Sequence, residues 1–283
     1  ETKTDAKISL KDRRIAMIYG SLLADAATMG LHWIYDQQII NSKMNENNLD
    51  PNNLIFFQPP SCPYYSYETG NLSPYGAEII PLLQTFSTAT SENSGTNTNS
   101  ITNSTTNTNT IIYDSKQLAT NSYNYFKSYN SNSTDESNGY NGAGGCNGYL
   151  NHASKGFVEN WEKKDETESG TGTGSLAYNK CAIVDHQANG IIRIPISVAT
   201  YYGCDKNTST SESQSPSPSS SLSPLHNILS DVVGLFQESE VSQDACYLGG
   251  VLLGHILESD CTPREAIEWA LHCNQGSAGL GSG

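Results

Sequence analysis

The stretch Arg13-Arg14-Ile15-Ala16-Met17-Ile18-Tyr19-Gly20-Ser21-Leu22-Leu23-Ala24-Asp25-Ala26-Ala27-Thr28-Met29-Gly30-Leu31-His32-Trp33-Ile34-Tyr35-Asp36 decides the fold class. Ile15, Ile18, Leu22, Leu23, Ala26 and Met29 recur at spacings of three and four, the period of one face of an α-helix, and predict an amphipathic helix to about Leu31. The same pattern continues outward. Ser73-Pro74, followed by Ile79, Leu82, Leu83 and Phe86, predicts a helix with Ser at the N-cap and Pro in its first turn. A tyrosine-rich helix is expected over 118–129, and apolar stripes mark helices over 225–236 and 241–256. Thr262-Pro263-Arg264-Glu265 combines a capping box with Pro at the first helical position, leading into Ala266, Ile267, Trp269 and Ala270. The β-branched run 191–202 leaves two readings open, a strand or a buried helix bent at Pro195. Strand signals are otherwise scarce, so the expected fold is all-α, one compact helical domain over 8–276.

Composition refines this picture. Charged residues make up 16% of the 283, against about 25% in typical domains. The deficit is filled by Ser, Thr, Asn and Gly in four blocks, 88–110, 128–147, 163–175 and 205–224. Such text buries too little apolar surface to offset the entropy of ordering, so the blocks read as disordered surface insertions. The formal net charge of −14 argues against nucleic acid and anionic membrane surfaces, where binding is driven by neutralising phosphate. No apolar run is long enough to span a bilayer, and the polar residues 1–12 lack the apolar core of a signal peptide. Seven cysteines without a C-x-x-C pair argue against a zinc framework and for buried thiols in a reducing cytoplasmic or organellar setting.

Three segments carry candidate chemistry. Asp25, Thr28 and His32 share one helix face beside the apolar stripe. A carboxylate there needs partners, and it either serves chemistry or ties neighbouring helix ends together. The loop Pro59-Pro60-Ser61-Cys62-Pro63-Tyr64-Tyr65-Ser66-Tyr67 leads to Ser73-Pro74-Tyr75-Gly76 at a helix N-terminus. Its tyrosines, with Tyr75, either stack on a base or sugar or pack the loop onto the helices. The third segment is Asp185-His186-Gln187-Ala188-Asn189-Gly190-Ile191-Ile192-Arg193-Ile194-Pro195. Its turn either cradles a phosphate on backbone N–H groups with Arg193 as charge partner, or holds a structural Arg ion pair.

Together these segments resemble the ADP-ribosylglycohydrolase superfamily, in a divergent branch similar to jellyfish crystallins and selenoprotein J. The resemblance implies an all-α orthogonal helical domain that binds a pair of Mg²⁺ ions. It also implies hydrolysis of the glycosidic bond between ADP-ribose and a side chain or small molecule. Residues 13–36 are similar to the family's opening Gly-Asp helix, with Ala24 in place of the glycine and Asp25 kept. Asn189, Gly190, Arg193 and Pro195 match the segment that holds the ADP-ribose pyrophosphate, and Asp185 and Tyr75 join them as ligand-binding candidates. Ser73 stands where the family carries a metal-binding Thr/Ser-Asp-Asp, but Pro74 and Tyr75 replace the carboxylates. The closing Gly-Asp-x-Asp-Thr motif is not reached before Gly283, so the resemblance implies that the closing helices are missing and the C-terminus is incomplete. Too few oxygen ligands remain for two metals.

Three functions stand open, one of them a different small-molecule hydrolase on the same all-α scaffold with the 64–67 loop as pocket wall. In a hydrolase, His32 or Asp36 acts as general base, Asp25, Asp36 or Asp185 supplies negative charge to an oxocarbenium-like transition state, and Asn189, Gly190 and Arg193 hold the pyrophosphate. In the alternative, the chain is a catalytically inactive ADP-ribose-binding or crystallin-like structural relative.

Overall fold

A computed structural model describes residues 8–50, 56–92, 114–131, 149–168, 180–202 and 224–277. Helix α1, Leu10–Thr28, starts at Ser9, whose hydroxyl accepts from the Asp12 N–H at 3.1 Å. It tightens into a 3-10 turn over Met29–Leu31. Only part of its apolar stripe faces inward. Ala26 and Met29 are buried, Ile18 and Leu22 pack against the core, and Ile15 and Leu23 are exposed.

Helix α2, Gln37–Glu46, buries only Met44. A 3-10 turn, Gly76–Glu78, opens α3, Ile79–Glu92. Then follow α4, Ser115–Ser131, and α5, His152–Glu168. A 3-10 stretch, Ala188–Arg193, runs straight into α6, Ile194–Tyr201, with Pro195 in its first turn. This settles the β-branched run as a buried helix. Ile196 belongs to one core cluster, while Ile194 and Val198 belong to another, so α6 is apolar on both sides and is enclosed. Helices α7, Pro224–Gly234, α8, Glu240–Ser259, and α9, Pro263–Ser277, complete the described order. The expected capping box of α9 forms: the Thr262 N–H donates to Glu265 Oε2 at 2.7 Å, and the Glu265 N–H donates to Thr262 Oγ1 at 3.3 Å.

The main core gathers α3, α4, α5 and α7 around Leu82, Phe126, Phe157, Trp161, Val232 and Phe236. Helix α7 packs on α8, and α1 on α6. A third cluster of Met29, Tyr65, Tyr67 and Ala77 pins the loop before α3 beneath the end of α1. Among the described residues the extended pairing is one isolated bridge, Ile183 to Gln237, so these residues form an all-α fold. No helix among them is long and apolar enough to cross a membrane. Cys181 and Cys246 are buried.

Three of the expected insertions begin too early. Residues 88–92, 128–131 and 163–168 are the last turns of α3, α4 and α5, because a helix propagates cheaply once nucleated, even through Ser, Thr and Asn. Pro224 likewise opens α7. The remainder of the four blocks lies outside the described residues.

Candidate functional site

Asp25 is buried where α1 meets the start of α3. The Ser73 N–H donates to its Oδ2 at 2.7 Å, and the Ser73 hydroxyl donates to its Oδ1 at 2.6 Å. The same hydroxyl oxygen accepts from the Tyr75 and Gly76 N–H groups at 3.1 and 3.3 Å. Asp25 and Ser73 therefore satisfy the free N–H groups of a helix start. Burial raises the Asp25 pKa above its usual value, with the Ser73 hydrogen bonds opposing that shift. Gly76 fits because a Cβ there would lie 2.1 Å from Asp25 Oδ2.

Arg193 and Glu78, each 1% exposed, form a buried ion pair. Arg193 Nε donates to Glu78 Oε2 at 2.8 Å, its Nη2 donates to the same oxygen, and its Nη1 donates to the Val232 carbonyl at 3.0 Å. The guanidinium lies 4.1 Å over the Phe236 ring. Glu78 Oε1 accepts from Asn151 and, at 2.7 Å, from the Ser154 hydroxyl. Both charges are thus compensated inside the core, and the guanidinium is engaged there by Glu78 and the Val232 carbonyl. Gly190 is also engaged. Its N–H donates to Gln237 Oε1 at 2.9 Å, and Gln237 Nε2 donates to the Gln187 carbonyl at 2.7 Å. The turn that resembled a phosphate cradle is clamped from behind by a fully buried glutamine.

Between this turn and the end of α1 lies a cleft of about 820 Å³, walled by His32, Trp33, Tyr35, Tyr75, Asn189 and Ile191 among others. Its volume is that of a small-molecule site. Trp33 adopts φ of 67°, a conformation rare for a bulky side chain. His32 is held at both nitrogens. Its Nδ1 is 2.8 Å from the Tyr65 hydroxyl and its Nε2 is 3.3 Å from Thr28 Oγ1. The Thr28 hydroxyl donates to the Ala24 carbonyl at 2.8 Å, so its oxygen accepts the Nε2 proton. The neutral Nε2–H tautomer then leaves Nδ1 to accept from Tyr65. Burial lowers the His32 pKa, with the charge of Asp25 opposing, and raises those of Tyr65 and Tyr75.

A histidine whose folded pKa lies below its ordinary 6.5 binds protons more readily in the unfolded chain, so stability is lost as pH falls below that value. The raised Asp25 acts in the opposite sense. Urea midpoints measured at about pH 7.5 and about pH 5.5 are expected to fall less in His32→Gln than in the parent; an equal fall in both would contradict this arrangement.

The remaining candidates scatter. Asp36 is exposed and caps α2, accepting from the Gln38 N–H at 2.7 Å. Asp185 accepts from the Gln187 N–H at 2.8 Å and lies 3.3 Å from His152. The structure brings His32, Tyr75 and Asn189 to one cleft, places Asp25 and Ser73 behind it, and locks Gly190 and Arg193 away from it. The residues do not fit Mg²⁺. Ser73 has spent its proton on Asp25 and its oxygen on two N–H groups, Glu78 is bound to Arg193, and no cluster of three acidic, His or Cys ligands forms among the described residues. Glu78 and Gln237 were not singled out from sequence, and Tyr65 was marked only as one of the loop tyrosines, without its bond to His32. The one available signal was Glu78 beside Ile79 at the head of an apolar stripe, a buried carboxylate in need of a cation.

No family model matches the chain, and no solved structure matches it. Two curated relatives match in part, both from Tripedalia cystophora. Crystallin J1A is 40% identical over 74 residues, which is 26% of this chain and 22% of that protein. Crystallin J1B is 39% identical over 75 residues, again 26% and 22%. The matched region thus spans about a fifth of the length of each relative, and a quarter of this chain is similar to jellyfish crystallins.

Proposed function

We propose that this chain is a crystallin-like, catalytically inactive relative built on an orthogonal helical domain of the ADP-ribosylglycohydrolase type. The observation that carries the reading is the burial of Arg193 against Glu78, which leaves the matched pyrophosphate segment without its cation. The other groups agree. Glycoside hydrolysis asks for an acid and a base flanking the bond. Here Asp25 is engaged by Ser73, Asp36 caps a surface helix, and the His32 lone pair is taken by Tyr65. The partial similarity to crystallins J1A and J1B supports a role in which the fold, rather than turnover, is what is used.

The test is direct. Incubation with an ADP-ribosylated arginine peptide and Mg²⁺, followed by chromatography, is expected to show no ADP-ribose above the protein-free blank. Release that disappears in His32→Ala or Asp36→Asn would overturn the proposal in favour of the hydrolase.

A further inference from the structure

One side of the cleft is built of rings set at angles to one another. Trp33, Tyr35 and Tyr75 line it. The Trp33 and Tyr35 ring centres lie 6.3 Å apart at 71°, and those of Trp33 and Tyr75 lie 6.4 Å apart at 34°. Neutral His32 adds a fourth ring, 6.1 Å from Tyr75 at 58°. None of these pairs is stacked, so the rings form the sides of a corner and not one flat platform. Trp33 is fixed in place: Tyr64 meets it edge-on at 5.2 Å, and its φ of 67° is a conformation kept only where the surroundings impose it. Tyr35, by contrast, is 85% exposed, an aromatic ring left in water at the edge of a pocket.

The electrostatics are one-sided. Ring faces are the negative ends of the aromatic quadrupole and attract cations. Among the described residues no Lys or Arg lines the cleft, Arg193 is engaged by Glu78, and burial holds the His32 pKa down, so that ring brings no positive charge at neutral pH. Two carboxylates stand close by. Asp36 follows Tyr35 directly, and its described hydrogen bond is to the Gln38 N–H. Burial raises the Tyr75 pKa, and the Asp185 charge reaches that ring and adds to the rise. The chain as a whole carries −14. A cation is therefore favoured over an anion. Its kind follows from Leu31, Ile191 and Ile192, which complete much of the wall. A primary ammonium entering there would give up the hydration of three N–H donors, which apolar side chains do not replace. A methylated ammonium has no such donors and presents methyl groups.

We infer that the cleft is a binding site for a small-molecule quaternary ammonium cation, held against the rings of Trp33, Tyr35 and Tyr75. This goes beyond the non-hydrolytic reading and does not depend on it, since the rings would hold such a cation whether or not any glycosidic bond is cleaved.

Choline and 3,3-dimethylbutan-1-ol are suitable probes, because the second is the same shape with a neutral carbon in place of the charged nitrogen. Each is titrated into the ¹⁵N-labelled full chain while the Trp33 indole signal is followed by NMR. Choline is expected to shift that signal saturably, at a concentration at least about tenfold below its neutral analogue, the effect expected of a cation on desolvated rings. Tyr35→Leu is expected to weaken choline by about threefold to tenfold, and Tyr35→Phe, which keeps the ring, to retain it. Both variants should fold as the parent does, since Tyr35 is 85% exposed. Phosphocholine distinguishes a free cation from a lipid headgroup: with no Lys or Arg on the wall, it is expected to bind more weakly than choline. Equal affinity for choline and its neutral analogue, an unchanged Tyr35→Leu, tighter binding of phosphocholine, or no saturable shift with choline would each overturn the inference. The ADP-ribose release assay, run on the same sample, keeps the two readings apart. Release with cation-selective binding sinks only the non-hydrolytic reading, and charge-blind behaviour without release sinks only this one.

Discussion

Arg193→Met is expected to remove about 3–5 kcal/mol of stability, a large share of the roughly 5–15 kcal/mol of a typical domain. The substituted side chain is apolar and of similar length, so packing against Phe236 is largely kept. What changes is electrostatic. Glu78 is 1% exposed and would be left with Asn151 and Ser154 as donors and no cation. A carboxylate so placed takes up a proton or draws in water, and either response disturbs the packing of α3 against its neighbours. Glu78→Gln should cost a similar amount for the mirror reason, leaving a guanidinium without its anion. The double substitution Glu78→Gln with Arg193→Met should recover most of the loss, since replacing both partners of a buried pair is often nearly neutral. Urea unfolding followed by circular dichroism measures all three; single losses below about 1 kcal/mol, the range of exposed pairs, would show that the pair is not buried as described.

Gly76→Ala is expected to destabilise by about 2–4 kcal/mol, combining overpacking with lost hydrogen bonds. Its Cβ would come within 2.1 Å of Asp25 Oδ2 and 2.6 Å of Asp25 Cγ. The carboxylate cannot simply swing aside, because both oxygens are held by Ser73, and moving it strands the N–H groups at the head of α3. The mechanism makes a second statement that simple crowding does not. In an Asp25→Ala background the same glycine substitution should cost far less, giving a coupling within the roughly 0.5–3 kcal/mol seen for residues in contact. Additive effects in the double-mutant cycle would refute the clash.

Much of the helical framework was legible because its signals are local. The stripe of α1, the box at Thr262 and Glu265, and Ser73 ahead of an apolar run each declare a helix within a few residues. Helix α2 was not legible: it buries one residue, Met44, and a helix with almost no buried face has no period to read. The insertion boundaries slipped for a related reason, since the polar last turns of α3, α4 and α5 look like the text that follows them. The site was harder. Asp25, His32, Asn189 and Arg193 were marked as consequential residues, but what each does depends on partners far along the chain. Glu78 lies 115 residues from Arg193, Tyr65 lies 33 from His32, and Gln237 lies 47 from Gly190. Spacing along one sequence carries no record of such pairings, so a charge-bearing turn and an ion-paired turn look alike until the fold brings the partner in.

The Gln237 clamp bears on how this protein is made as well as on how it is built. On this wall the Gln187 carbonyl and the Gly190 N–H meet Gln237 only when the segment after α7 arrives, and the Ile183 pairing needs that same segment. Contacts of such long sequence separation require a large loop to close before they give anything back, and they tend to form late. A chain emerging from the ribosome would therefore carry α1 and its aromatic residues for some time before the opposite wall exists. The cleft is then a marker of completed assembly: a molecule that fits it can recognise only the finished fold, and by mass action would hold the chain there.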